Sequence, residues 1–246
     1  MIPWYKGSPT LFQHEKEAVA ICQPSLEFEI LPGGTQLTQT RKLISESAVC
    51  RGTYALRVPN SENHYDYSII VITHPSHPRE MPSLHCNDPR LPAGNLDRHI
   101  MSTGEACLGV RAEIRRKWSA GRGIVGFFDD FVSPFLAWQV YYEAHGHSGP
   151  FGQRSHGVQG VIEFYTEVLG FNDGIHIAAF MELLARRNRP KGHECCPCGS
   201  GRKLRDCHAD VVRNAWGKVA WQDAQADLAL LKTPDAQKGR SLDQHP

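Results

Sequence analysis

The chain has 246 residues, of which 41% are hydrophobic and 22% are charged, and its 27 basic and 26 acidic side chains leave a formal net charge of +1. These values are typical of a globular protein with one or two domains, and they exclude a disordered chain, a coiled coil and a collagen-like repeat. The near-neutral balance gives no overall attraction to nucleic acids or membranes, and no apolar run approaches the ~20 residues of a membrane span.

The N-terminus and the cysteines indicate the compartment. The first six residues lack the basic region and the apolar core of a signal peptide, so we expect a cytoplasmic protein in a reducing environment. The eight cysteines of the chain are then expected to be free, metal-bound or catalytic rather than paired in disulfides.

The N-terminal half of the chain predicts a helix followed by strands. Apolar residues recur at helical spacing over 9–22, and Ser8 can cap this helix. Alternating and β-branched runs indicate an antiparallel meander over 26–30, 48–58 and 65–73. Five prolines within 75–92 exclude a regular helix from that segment.

A single cysteine follows the proline-rich segment in the loop Gly104-Glu105-Ala106-Cys107-Leu108. A cysteine in a polar loop that contains glycine is expected to be partly exposed, and its thiolate form attacks carbonyl carbon atoms. Basic side chains favour the thiolate if they lie near it in space. Five of them flank the loop, namely Arg98, Arg111, Arg115, Arg116 and Lys117.

The C-terminal half predicts helices. They are expected over 133–145, over 158–169 and from a cap at Asp173 to Leu184, since apolar residues keep helical spacing there and glycines follow the first two. A basic segment at 186–192 follows, and we place a domain boundary between residues 188 and 189. One long helix is expected over 209–231, and residues 233–246 are expected to be disordered.

The order of these features resembles the ubiquitin-conjugating enzyme family. That family has an N-terminal helix, a four-stranded antiparallel meander, a proline-rich turn, a His-Pro-Asn tripeptide, a Gly-x-x-Cys-Leu loop and a Trp-Ser segment before C-terminal helices. Residues 77–82 match the turn, 104–108 the cysteine loop and 118–124 the tryptophan segment. The resemblance covers residues 8–145. It implies an α+β fold of this type with its strands within 26–73, and a transferase in which Cys107 forms a thioester that an amine then displaces.

The tripeptide departs from the family pattern. His99-Ile100-Met101 keeps the histidine and loses the asparagine that supports the oxyanion in the family, whereas His85-Cys86-Asn87 keeps both but needs a longer loop before the cysteine. The loss of one oxyanion donor costs roughly 10²–10³ in rate. The groups that could replace it are Asn87, Asn95, Ser102, Thr103 and backbone N–H groups. His99 is the candidate catalytic partner of Cys107, and it is equally suited to a structural hydrogen bond.

Residues 127–146 are similar to the bacterial branch of this family. Members of that branch occur in anti-phage operons of the cyclic-oligonucleotide signalling type (CBASS). The resemblance implies a stand-alone conjugating enzyme of antiviral defence, because the chain lacks the glycine-rich nucleotide fingerprint of a fused activating domain. It also implies that the partner is the C-terminal tail of a cGAS-like nucleotidyltransferase.

The densest cysteine cluster lies near the C-terminus. Cys196, Cys198, Cys207 and His208 fall within thirteen residues, and a closed tetrahedral zinc site takes four thiolate or imidazole ligands. The run is similar to the SEC-C motif, whose pattern is Cys-Pro-Cys-Gly-Ser-Gly-x-Lys followed by Cys-Cys or Cys-His. The resemblance implies a structural Zn²⁺ ion bound by these four residues. The small zinc module would span 189–232, after a ubiquitin-conjugating-like domain over 1–188.

The sequence is compatible with several alternative interpretations. His193 and Cys195 are surplus to the zinc motif, either as alternative ligands or as spectators. The same fold could host a binding module without catalysis, and a hydrolase or redox protein could also use Cys107. The zinc module could be a structural knob or a docking surface. Nucleic-acid binding is a weaker hypothesis, because residues 186–208 carry a net charge of +5 but lack the aromatic residues of single-strand binding.

Overall fold

The structure, a computed structural model, describes residues 2–36, 43–58, 63–118, 120–146, 154–155, 157–170 and 174–232. Its strands are β1 (Leu26–Leu31), β2 (Ser47–Arg57), β3 (His64–Ile72) and β4 (Ser83–Cys86). Its α-helices are α1 (Trp4–Gly7), α2 (Pro9–Cys22), α3 (Arg111–Lys117), α4 (Gly123–Phe127), α5 (Ser133–His145), α6 (Gly157–Leu169), α7 (Gly174–Leu184), α8 (Ala209–Trp216) and α9 (Trp221–Leu231). The fold is therefore mixed α+β, as the sequence predicts.

The four strands form one antiparallel sheet in the order β1-β2-β3-β4. Phe28, Cys50, Val71 and Leu84 lie opposite one another, one from each strand. All four side chains are buried, because side chains alternate between the two faces of a strand and this row faces the core. The predicted antiparallel meander is confirmed.

The fourth strand lies outside the predicted region, so the expectation that all strands fall within 26–73 is wrong. Ser83–Cys86 pairs with β3 in the segment between Pro82 and Pro89. Proline removes a ladder hydrogen bond only at its own position, so a proline-rich segment that excludes a helix still accommodates a four-residue strand.

Three helices, α2, α5 and α6, follow their predicted limits closely. α2 begins at Pro9 and ends at Cys22, although the Ser8 side chain makes no capping hydrogen bond. Gly146 and Gly170 directly follow α5 and α6, and their φ angles are +81° and +73°. Glycine adopts this left-handed conformation without a steric cost. Within the described ranges, each helix is too short or too polar to cross a bilayer.

The described chain divides into two compact units. The first comprises Met1–Leu108 and Lys117–Gly152, and the second comprises Gly109–Arg116 and Gln153–Pro246. α6 and α7 belong to the second unit. That residues 1–188 and 189–232 form two domains stays a prediction. Ser119, Asp173 and the predicted tail 233–246 lie outside the described residues.

A buried carboxylate joins three segments of the first unit. Glu15 of α2 is 4% exposed. Its Oε1 lies 3.1 Å from Nε2 of His77, and its Oε2 accepts a hydrogen bond of 2.9 Å from the backbone N–H of Ile124. Gly123 has a φ of +57°, and a Cβ atom there would lie 2.4 Å from Glu15 Oε1. Glycine therefore makes room for the carboxylate at the start of α4.

The second unit has its own apolar core. Phe164 and Tyr165 of α6 pack in one buried cluster with Phe180 and Met181 of α7. The cluster also includes buried residues of α8 and α9. The core explains why α6 and α7 belong with the C-terminal segment.

The single helix predicted over 209–231 is wrong, because α8 ends at Trp216 and α9 begins at Trp221. Gly217 follows α8, and glycine has a low helix propensity. Val219 in the connection is 5% exposed and belongs to the apolar core of the second unit. The break thus allows the connection itself to bury an apolar side chain.

Candidate functional site

Cys107 lies in a short backbone ladder of the first unit. Its N–H donates to the carbonyl oxygen of His99 at 2.8 Å, and Ile100 and Ala106 form an antiparallel bridge beside it. Ile100 and Ala106 are buried, whereas Cys107 is partly exposed, as expected from the sequence. Cys107 and His99 therefore meet through their backbone groups.

His99 adopts a left-handed backbone conformation, with φ 56° and ψ 38°. Residues with a Cβ atom rarely adopt it, and such strain is often found at functional sites. The imidazole lies edge-on to Trp138 of α5, with ring centroids 5.4 Å apart. The structure thus places His99 next to Cys107 through its backbone and packs its ring on α5.

The second candidate tripeptide, at 85–87, borders the cysteine loop on its other side. The N–H of Cys86 donates to the carbonyl oxygen of Gly104 at 2.9 Å, and the N–H of Ala106 donates to that of Leu84 at 2.8 Å. The loop is therefore held between β4 and the segment 99–100.

Two of the candidate oxyanion donors have other partners. The side-chain amide of Asn87 donates to Oγ of Ser68 at 3.3 Å. Oδ1 of Asn95 accepts a hydrogen bond of 3.3 Å from the backbone N–H of Arg98. The Asn87 contact therefore engages its amide N–H group, whereas the Asn95 contact engages only its side-chain carbonyl oxygen.

Three of the five flanking basic residues also have partners of their own. These partners are Glu143 for Arg98, Asp223 for Arg115 and the ring of Phe164 for Arg116. That the flanking basic residues stabilise a thiolate at Cys107 stays a prediction. Arg122 likewise has acidic partners, since it forms ion pairs with Asp129 and Asp130 near the surface.

The four predicted zinc ligands come together in the second unit. The candidate ligand atoms of Cys196, Cys198, Cys207 and His208 all lie within 4.8 Å of one another. The Sγ atoms of Cys198 and Cys207 are 3.5 Å apart, and Nδ1 of His208 lies 3.2 Å from Sγ of Cys196 and of Cys207. With Zn–S bonds of about 2.3 Å, tetrahedral ligand atoms are separated by about 3.5–3.8 Å. The donor set and its spacing therefore fit a zinc ion.

The thiols of this cluster have different surroundings. Burial raises the pKa of Cys196 to about 11. Hydrogen bonds from the hydroxyl and backbone N–H of Ser200 lower the pKa of Cys198 to about 6. Oγ of Ser200 lies 3.2 Å from Sγ of Cys198 and 3.4 Å from Sγ of Cys207. Since the thiolate is the metal-binding form, Ser200 favours that form at Cys198.

The backbone around the cluster forms a tight loop. The N–H of Cys196 donates to the carbonyl oxygen of Arg202 at 2.9 Å. Gly199 and Gly201 have φ angles of +73° and +72°, so glycine gives the turn its left-handed residues at no steric cost.

Two contacts of the cluster come from α7 and have no signal in the sequence. Nε2 of His176 lies 3.2 Å from the carbonyl oxygen of Cys198, and the ring of Phe180 lies edge-on to His208 at 5.4 Å. Cys195 is exposed and pairs through its backbone with Lys203. Within the described chain, neither it nor His193 belongs to the cluster, which favours the spectator role.

Comparison with protein families identifies one match. The family model of the SEC-C motif matches residues 196–210. This motif is of a zinc-binding type, and its match includes all four clustered residues. No curated protein and no solved structure matches the chain. The predicted SEC-C motif is therefore confirmed, over the part of the chain that holds the cluster.

Proposed function

We propose that the protein is a conjugating enzyme in which the thiolate of Cys107 accepts an acyl group. The sulfur attacks the activated C-terminal carbonyl carbon of a partner protein, so that a C–S bond forms and the bond to the activating group breaks. An amine then attacks the thioester, the amide forms, and the thiolate leaves. Because a thiolate is a good leaving group, aminolysis needs little further activation.

The surroundings of Cys107 carry this proposal. The residue is partly exposed on a loop that backbone hydrogen bonds hold on both sides, with His99 directly opposite. A nucleophile on a fixed backbone loses little freedom when it meets a carbonyl group. The backbone of His99 lies next to that of Cys107, and we propose its imidazole as the candidate for proton transfer or for orientation of the substrate.

The order of elements supports the wider comparison. A helix, an antiparallel meander, a cysteine loop and further helices follow one another in the order of the ubiquitin-conjugating family. On this basis we infer a stand-alone conjugating enzyme of CBASS-type antiviral defence, acting in the cytoplasm. Its partner would be the C-terminal tail of a cGAS-like nucleotidyltransferase.

We infer a structural Zn²⁺ ion for the second unit. Cys196, Cys198, Cys207 and His208 would hold it, and a closed set of four protein ligands leaves no open position for a substrate. The ion would supply folding free energy to a loop that has little core of its own.

A binding module without transfer activity is the second candidate. It is favoured by the contact of Asn87, whose side-chain amide donates a hydrogen bond to Ser68. Such a module would hold its partner without a covalent bond, and the complex would depend neither on reductant nor on Cys107.

The test incubates the protein with its partner, ATP and an activating enzyme, and compares reducing with non-reducing gels. We expect an adduct that thiols cleave, that is absent in Cys107→Ala and that persists in Cys22→Ala, which alters an exposed cysteine. An adduct in Cys107→Ala equal to that of the parent protein contradicts the transfer mechanism. A complex that survives reductant and forms equally well with Cys107→Ala establishes the binding module instead.

A further inference from the structure

A buried glutamine holds the segment that faces Cys107. Gln139 of α5 is 0% exposed, and its amide group binds one residue twice. Oε1 accepts from Nε of Arg98 at 2.8 Å, and Nε2 donates to the carbonyl oxygen of Arg98 at 2.8 Å. Gln139 therefore fixes the backbone of Arg98 as well as its side chain.

The Arg98 side chain is anchored in further directions. Nη1 donates to the carbonyl oxygen of Arg90 at 2.9 Å, and Nη2 donates to Oε1 of Glu143 at 2.8 Å. The guanidinium also lies 5.3 Å from the centre of the Tyr142 ring. Arg98 cannot shift without breaking several of these contacts together.

The carbonyl group that Gln139 binds belongs to the residue directly before His99. A left-handed conformation such as that of His99 persists only where the surroundings enforce it. Gln139 binds the preceding peptide group, and its neighbour Trp138 packs against the imidazole. The carbonyl oxygen of His99 in turn accepts a hydrogen bond from the N–H of Cys107. A continuous series of contacts therefore connects α5 to Cys107.

We propose that Gln139 is a positioning residue for Cys107 and acts through the Arg98 carbonyl group and His99. The inference deepens the proposed function, on which its catalytic consequence rests. Loss of the amide donor frees the Arg98 carbonyl group, relaxes His99 and weakens the hydrogen bond between Cys107 N–H and His99. The thiol then lies on a more mobile loop.

The substitution Gln139→Glu separates the two halves of the contact. A carboxylate still accepts from Nε of Arg98 but cannot donate to the Arg98 carbonyl oxygen. Glu143→Gln is the matched control, because it keeps an acceptor for Arg98 and leaves that carbonyl group bound. Should Gln139→Glu fail to fold, Gln139→Met removes both hydrogen bonds at similar volume.

Two measurements on the full chain, without a partner, test the proposal. We expect amide hydrogen exchange at Cys107 to be at least tenfold faster in Gln139→Glu. Alkylation of Cys107 by iodoacetamide should be at least threefold faster, with a shifted pH profile, while exposed Cys22 and the Glu143→Gln variant stay unchanged. Unchanged exchange and alkylation in a folded variant overturn the proposal.

Thioester formation is then measured separately on the same variants. We expect at least a tenfold loss in Gln139→Glu, with Glu143→Gln near the parent rate. If the parent protein itself forms no thioester, the proposed function fails, whereas the exchange and alkylation results still decide whether Gln139 positions Cys107. An unchanged thioester rate in Gln139→Glu overturns its catalytic consequence.

Discussion

The sulfur atoms of this chain have two kinds of surroundings. Cys107 lies partly exposed on a loop with an imidazole-bearing residue opposite it. Cys198 and Cys207 have sulfur atoms 3.5 Å apart and share their cluster with a third thiol and an imidazole. A lone thiolate can attack a carbonyl carbon, whereas thiolates packed this closely repel one another unless a cation lies among them. The proposed acyl transfer and the proposed zinc site therefore rest on different surroundings of the same side chain.

Replacing one clustered thiol should release the metal. We expect Cys198→Ser to weaken zinc binding by at least about 100-fold, because a closed site depends on all four ligands. Elemental analysis after dialysis against a chelator measures this. The matched control is Cys195→Ser, which should retain one zinc ion per chain. Full zinc content in Cys198→Ser, or its loss in Cys195→Ser, would contradict the ligand assignment.

Buried carboxylates connect elements in both units, with different partners. Glu15 of α2 receives hydrogen bonds from two N–H groups on other segments. Asp227 of α9 is 2% exposed and accepts a hydrogen bond of 3.1 Å from the hydroxyl group of Tyr165 on α6. Burial raises the pKa of Asp227 to about 6.

Truncation of Glu15 should destabilise the protein markedly. Glu15→Ala leaves the backbone N–H of Ile124 and the imidazole of His77 buried without their acceptor, which costs about 2–4 kcal/mol. Urea unfolding followed by tryptophan fluorescence measures the free energy of unfolding. Glu17→Ala on the exposed face of α2 is the control, with an expected change below about 0.5 kcal/mol. Equal effects from both variants would exclude a structural role for the Glu15 carboxylate.

Neutralising Asp227 should stabilise the protein at neutral pH. A carboxyl group whose pKa is raised on folding binds its proton more tightly in the native state, so its contribution to stability declines as the pH rises from about 4 to 6. Asp227→Asn keeps an acceptor for Tyr165 and removes this loss, with a gain of roughly 1–3 kcal/mol above pH 7. Thermal unfolding of variant and parent across this range should show a difference in unfolding temperature that widens with pH. A difference in unfolding temperature that stays constant with pH would contradict this explanation. So would the same difference in Asp210→Asn, which alters an exposed carboxylate.

At the scale of the whole molecule, the sequence predicts those features that depend on residues close together in the chain. Gly146 and Gly170 end helices where the sequence places the ends, and the four metal-cluster residues are close in sequence, so their spacing alone indicates the site. Tertiary contacts determine the rest. β4 forms because β3 offers an edge, and Gln139 reaches Arg98 across 41 residues of sequence. The left-handed His99 likewise leaves no pattern in the sequence.

Intact-mass analysis of the protein, co-expressed with the proteins of its operon, tests the central claim most directly. The proposal predicts a species heavier than the chain by the mass of the partner less one water. Hydroxylamine should cleave it, Cys107→Ala should lack it, and Cys107→Ser should hold it as a hydroxylamine-resistant oxygen ester. The same adduct on Cys107→Ala, or a parent protein that stays unmodified beside an active partner and activating enzyme, would contradict acyl transfer through Cys107.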